Sequence, residues 1–139
     1  MNFGIYVARS ARHWPEQAAV LFRDQVLTYR QLEEQSNRLA HALQTLGLRQ
    51  GDRVAIVSPN RPEIVVAECA FYKLGLVKVA LNARLSPQEL EDALDNAEPV
   101  ACLAAPSHRP VLQAMRERLP SLRHLLAWDC TDADRQSGW

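Results

Sequence analysis

The sequence predicts an α/β fold: a three-layer sandwich in which a mostly parallel sheet is flanked by helices, preceded by a short N-terminal hairpin. Three observations predict it. Apolar strand candidates begin near Arg53, Leu76, Pro99 and Arg123, each separated from the next by a stretch of helical periodicity, the alternation that parallel sheets produce. Strand–helix–strand crossovers are right-handed, so the intervening helices fall on the faces of one twisted sheet. Residues 73–90, KLGLVKVALNARLSPQEL, read as a helix stop at Gly75, an apolar run at 76–81 that can form a buried strand, and a new helix at Ser86. Pro87 occupies the first position of that helix and Glu89 completes a capping box.

Taken in order, Phe3, Val7, Ala8 and Ala11 recur at helical spacing after Asn2, which is placed to cap a short amphipathic helix ending near Trp14 and Pro15. Residues 18–22 and 26–28 read as two short strands joined across Asp24 and Gln25, without the glycine that a tight hairpin favours. Thr28 and Gln31 form a capping box for the next helix, and Gly47 stops it. Within it Leu32, Leu39, Leu43 and Leu46 share a face, while Arg30, Glu33, Glu34 and Arg38 face water. Asn60 with Glu63 is read as the cap of the following helix, whose inner face carries Ile64, Ala67, Phe71 and Leu74. Leu90, Ala93, Leu94 and Ala97 do the same after Ser86. A third crossover helix follows Ser107, with Val111, Leu112, Met115 and Leu119 ahead of Pro120. Trp128 flanks the last strand. Residues 1–128 form one α/β subdomain on this reading, and residues 129–139, polar and without periodicity, form a linker or truncated loop.

Composition excludes several classes of function. The chain has 139 residues, 47% of them hydrophobic, enough for one domain with a real core. Sixteen Lys plus Arg balance sixteen Asp plus Glu, so no overall positive field exists to gather nucleic acid or anionic lipid. Glu68, Lys73 and Lys78 interrupt the most apolar stretches, and no run reaches the roughly 18 residues that a membrane span needs. Cys69, Cys102 and Cys130 are widely spaced with no C-x-x-C pair, which reads as reduced thiols in a cytoplasmic protein.

Catalytic signatures are absent as well. The sequence holds no G-x-x-x-x-G-K-[ST] loop, G-x-G-x-x-G, G-x-S-x-G or H-E-x-x-H. Its four histidines, His13, His41, His108 and His124, lie on different elements, none spaced from a cysteine as zinc requires. No catalytic and no metal-ligating residue is assigned. What recurs is an arginine beside a helix start after three successive strands: Arg61 after Asn60, Arg84 before Ser86, and Arg109 after Ser107. Guanidinium groups beside helix N-termini suit a phosphate or carboxylate, whereas the bland reading makes them solvated or helix-packing arginines.

Four pieces resemble one family. Residues 27–32, LTYRQL, are similar to the L-T-Y-x-E-L start of the adenylate-forming acyl-CoA synthetases, the AMP-dependent synthetase and ligase family. Gly47, Gly51, Asp52, Arg53 and Val54 match its G-x-x-x-G-D-R-V segment, and Pro59, Asn60, Pro62 and Glu63 its P-N-x-P-E turn. Residues 73–90 resemble its K-x-G-x-x-x-V-P-L-N-x-R-L-x-x-x-E-L stretch. Ala80 replaces the usual proline there, and Gln31 and Gln88 stand where acidic residues are frequent.

The resemblance implies the N-terminal subdomain of the adenylate-forming ligase fold. It also implies a parent enzyme, an AMP-forming acid–thiol ligase, that converts a carboxylic acid, ATP and coenzyme A (CoA) to acyl-CoA, AMP and pyrophosphate through an acyl-adenylate, with Mg as the metal of the nucleotide. The family's phosphate loop, ribose-binding aspartate, hinge and C-terminal lysine have no counterparts in this chain. The chain alone is therefore expected to be inactive and to bind none of these cofactors. In the family's N-x-R-L turn the arginine lies near the phosphates of CoA, a place that Arg84 occupies; Arg61 and Arg109 rest on spacing alone. The alternative is a stand-alone, non-catalytic α/β module that binds a nucleotide-like anion or a protein partner.

Overall fold

The computed structural model describes residues 3–129. The proposed cap at Asn2, the third cysteine Cys130 and the expected linker beyond Asp129 lie outside them. The fold is α/β, with a four-stranded parallel sheet, flanking helices and a separate antiparallel hairpin. The chain divides into two compact units, one built from the residues up to Gly51 with Asn60–Leu76, the other from Asp52–Pro59 and the residues from Val77 onward.

The first unit contains helix α1 (Gly4–His13), strands β1 (Ala18–Phe22) and β2 (Gln25–Thr28), and helices α2 (Tyr29–Thr45) and α3 (Pro62–Leu74). The hairpin forms as read, but its two-residue loop is Arg23–Asp24, because Phe22 pairs with Gln25. Arg23 takes the left-handed conformation, φ 52°, where glycine is the usual occupant. Thr28 caps α2 with the full box: Thr28 N–H donates to Gln31 Oε1 at 2.9 Å, and Gln31 N–H to Thr28 Oγ1 at 3.3 Å. At the other end Gly47, φ 87°, lets Leu48 N–H reach Leu43 O and its own N–H reach Gln44 O, the paired bonds of a Schellman stop.

Burial on α2 departs from the leucine stripe. Leu32, Ser36, Ala40 and Leu43 are buried, whereas Leu46 is the C-cap just past the helix and is exposed. Glu33 does not simply face water, since Lys73 of α3 draws it into a cluster. Leu32, Val66 and Cys69 form one core cluster of this unit, with Val7, Ala19, Leu27, Leu39 and Val65 packed around them. Phe3 is 57% exposed and lies in tilted ring contact with Tyr6 and Tyr72 rather than entering that core. The cap of α3 is Arg61, not Asn60, and it makes no side-chain capping bond. Val66, Ala67, Cys69, Ala70 and Phe71 are all buried, as expected of a helix whose composition is apolar on more than one side.

The second unit holds strands β3 (Arg53–Val57), β4 (Val77–Leu81), β5 (Ala101–Ala104) and β6 (His124–Ala127), with helices α4 (Pro87–Ala97) and α5 (Arg109–Met115). All neighbours are parallel, in the order β4-β3-β5-β6. Val79, Ala55, Cys102 and Leu125 make one row across the sheet in register. Onto that face pack Leu90 and Leu94 of α4 and Leu112 and Met115 of α5. Strand β5 is buried at every position and β3 at all but Arg53, which fits strands paired on both sides. Strand β4 was expected to be buried, but it is the edge of this sheet, and Val77, Lys78 and Ala80 are exposed. The order also fixes a switch point. The chain steps from β3 to β4 on one side and then crosses to β5 and β6 on the other, so the crevice where open sheets take ligands lies at the carboxyl ends of β3 and β5.

Candidate functional site

The loop after β4 carries the arginine of greatest interest. Asn82 opens it as an Asx turn, its Oδ1 accepting the backbone N–H of Arg84 at 2.9 Å, and its carbonyl accepting that of Leu85 at 3.2 Å. Leu85 packs toward the sheet core, so the turn faces Arg84 the other way, and Arg84 is exposed. Its guanidinium makes no hydrogen bond or ion pair with any of the described residues. A full positive charge is thus held at the carboxyl edge of the sheet on a short, internally bonded turn.

The helix start beside it contributes less than its position suggests. Ser86 donates its N–H and its hydroxyl to Glu89 Oε2, both at 2.8 Å, and accepts Glu89 N–H at 3.3 Å, while Pro87 has no N–H to offer. These bonds, that from the Ser86 N–H foremost, hold the Glu89 carboxyl below the usual carboxylate range. The positive end of α4 therefore already faces a carboxylate of its own. Attraction for a further anion falls mainly to the Arg84 guanidinium.

Arg109 and Arg61 are engaged differently. Arg109 opens α5 and turns back to β6, its Nη2 donating to Trp128 O at 2.6 Å and to Asp129 O at 3.2 Å. Arg61, in the other unit, forks onto Glu63 with Nε to Oε2 at 2.8 Å and Nη2 to Oε1 at 3.0 Å. That pair is the main reason the Glu63 carboxyl lies below its ordinary range. Both guanidinium groups bond to their own folds; Arg84 and Arg109 belong to the second unit and Arg61 to the first.

Sequence reasoning did not find the side chain that ties the edge together. His108, in the 3₁₀ turn Pro106–His108 after β5, places Nε2 3.0 Å from Ala83 O and Nδ1 3.2 Å from Ser107 Oγ. Only Asn82 carried a local signal, as a turn-opening residue two places before Arg84. The thiols sit on α3 and within β5. Cys69 and Cys102 are free and buried, and burial pushes them up to about 11 and about 12. Among the described residues no group of three or more His, Cys, Asp or Glu is placed to hold a metal, and no helix is long and apolar enough to cross a membrane.

Comparison with known proteins adds a family. The family described as AMP-binding enzyme matches residues 7–137. A medium/long-chain-fatty-acid–CoA and 3-oxocholest-4-en-26-oate–CoA ligase of Mycobacterium marinum is 41% identical over 87 residues, 63% of this chain and 16% of the relative. A feruloyl-CoA synthase of Amycolatopsis is 36% identical over 114 residues, 82% of this chain and 23% of the relative. Among solved structures, a putative long-chain-fatty-acid CoA ligase from Rhodopseudomonas palustris superposes with a TM-score of 0.88 at 26% identity, over 94% of this chain and 34% of its own. The N-terminal domain of FACL13 from Mycobacterium tuberculosis does so with a TM-score of 0.81 at 29% identity, over 99% of this chain and 36% of its own. The chain thus spans under a quarter of the length of these curated relatives.

Proposed function

Since the chain belongs to the AMP-binding enzyme family, we propose that it is the N-terminal part of an ATP-dependent acyl-CoA ligase. In the complete enzyme the carboxylate of the acid attacks the α-phosphorus of ATP and expels pyrophosphate. The thiol of CoA then attacks the acyl carbon of the adenylate and releases AMP. The observation that carries this reading is the match over residues 7–137 to a family whose similar members include ligases named for fatty-acid, cholestenoate and ferulate substrates.

Within that reaction this part of the protein supplies position and charge rather than acid–base chemistry. Arg84 meets a phosphate of CoA. Its exposed guanidinium suits such a group because charge-assisted hydrogen bonds to phosphate are about twice as strong as neutral ones. Arg109 holds the loop after β6 in place, and Arg61 with Glu63 fixes the start of α3. Binding of the ATP–metal complex is assigned to the remainder of the enzyme. Its cosubstrates, ATP and CoA, are in keeping with a cytoplasmic setting.

The test uses the full-length protein. Carboxylate-dependent exchange of pyrophosphate into ATP, followed by CoA-dependent release of AMP, is expected with at least one acid from a panel of fatty, aromatic and steroid carboxylates. No exchange with any of them overturns the reading. Titration of the 139-residue chain alone with CoA separates the competing one, because saturable binding by the isolated chain favours a stand-alone anion-binding module.

A further inference from the structure

His108 and Arg109 are consecutive, yet their side chains reach in opposite directions across the carboxyl edge. Arg109 bonds the carbonyls of Trp128 and Asp129 after β6. His108 bonds the carbonyl of Ala83 after β4. Strand β5, from which both depart, neighbours β6 but not β4; β3 lies between. His108 therefore spans the carboxyl end of β3, across the switch point, to hold the residue immediately before Arg84.

Chemistry fixes the direction of that bond. A carbonyl oxygen only accepts, so His108 Nε2 carries the proton that points at Ala83 O. The Ser107 hydroxyl, 3.2 Å from Nδ1, partners the other ring nitrogen, as donor to the Nε2–H tautomer. The partly buried ring is held at both nitrogens. The Arg84 turn otherwise rests on the Asn82 Asx turn and the α4 capping box, both of which join residues within the segment 82–89. Among the described residues, the hydrogen bond from His108 alone ties this turn to a distant strand loop.

We propose that His108 is a positioning residue for the Arg84 anion site: its Nε2–H, bonded to Ala83 O, sets where the guanidinium stands relative to the phosphate of CoA. The inference rests on the assignment of Arg84 to CoA and deepens it. His108 touches no reacting atom and acts through the backbone of the turn.

The experiment compares the full-length enzyme with its Arg84→Ala, His108→Ala, His108→Gln and doubly substituted His108→Ala/Arg84→Ala forms. His108→Ala is expected to raise KM for CoA about three- to ten-fold, the scale of one hydrogen bond, with kcat and KM for ATP and acid unchanged. His108→Gln, whose amide nitrogen can stand in for Nε2, should return KM to within about two-fold of the parent. In the Arg84→Ala background, His108→Ala should add nothing, since coupled residues are non-additive. An unchanged KM for CoA in His108→Ala, or an effect that persists in full without Arg84, overturns the positioning role while leaving the Arg84 assignment intact. An unchanged KM in Arg84→Ala overturns that assignment instead. A readout independent of activity keeps the inference open to test: amide exchange in the 139-residue chain. His108→Ala should speed exchange at Arg84 and Leu85 while Leu94 in the core keeps its rate, and equal rates at the turn in both forms overturn the inference.

Discussion

Lys73 Nζ lies 2.7 Å from the hydroxyl oxygen of Ser36, a side chain with no solvent exposure at all. The same ammonium donates to Glu33 Oε2 at 2.7 Å and to Asn37 Oδ1 at 2.8 Å, which uses its three hydrogens on one face of α2. The Lys73 and Glu33 side chains are only 15% and 21% exposed. Removing the cation from so sheltered a cluster leaves a carboxylate without its charge partner. Lys73→Met is expected to lower the unfolding free energy of the chain by about 2 to 3 kcal/mol in urea titration. Arg30→Ala, which breaks an ion pair to Glu16 with both side chains more than half exposed, should cost less than about 1 kcal/mol. Equal costs for the two variants contradict the ranking.

Gly75 separates two effects that glycines usually combine. It closes α3 in the left-handed conformation, φ 67°, and a Cβ placed there would meet Gln50 Cγ at 2.9 Å. Gly47 ends α2 at φ 87° with nothing within 4 Å of the same added atom. Gly47→Ala therefore carries only the backbone cost, about 1 kcal/mol, whereas Gly75→Ala carries that plus displacement of Gln50. Gly75→Ala should be the more destabilising of the two, and Gln50→Ala in the same chain should remove most of the difference. If Gln50→Ala leaves the gap unchanged, the contact is not its cause.

What the sequence showed were contacts between near neighbours. The Thr28–Gln31 and Ser86–Glu89 boxes and the glycine stops at 47 and 75 join residues a few positions apart, so side-chain type alone reveals them. Apolar alternation located four parallel strands to within two residues of their observed starts. Their order was not legible, because it depends on which strands meet across long crossovers, and so the half-exposed edge position of β4 was missed. The Lys73–Ser36 bond, across 37 positions, and the His108–Ala83 bond, across 25, were invisible for the same reason. Ser36 and Glu33 look like ordinary polar helix residues until α3 supplies the ammonium. At the site, the arginine could be singled out by spacing and resemblance; Glu89 was legible as the capping-box partner, but that its carboxylate accepts both the N–H and the hydroxyl of Ser86, and so weighs against the dipole, needed the geometry.

That capping box makes stability depend on pH in a defined direction. Glu89 is held below its usual range in the fold by bonds from Ser86. A carboxyl whose folded pKa is depressed stabilises the fold above its unfolded value, about 4.3, and that contribution disappears as pH falls through the folded value. Glu89→Gln carries no charge at any pH. The gap between the urea midpoints of parent and variant should be widest near neutrality and shrink as the pH falls below the unfolded value and on through the depressed folded one. A gap of the same size at both ends of that range means that the charge of Glu89 plays no part in the cap.

The central claim is that Arg84, held out at the carboxyl edge by the Asn82 turn, receives a phosphate of CoA. The most direct measurement is KM for CoA in the full-length enzyme carrying Arg84→Ala, with ATP and acid saturating. Loss of a charge-assisted hydrogen bond is worth about 1.5 to 3 kcal/mol, so KM is expected to rise about 10- to 150-fold while pyrophosphate exchange keeps its parental rate. A KM for CoA equal to that of the parent, with the exchange reaction intact, contradicts the claim.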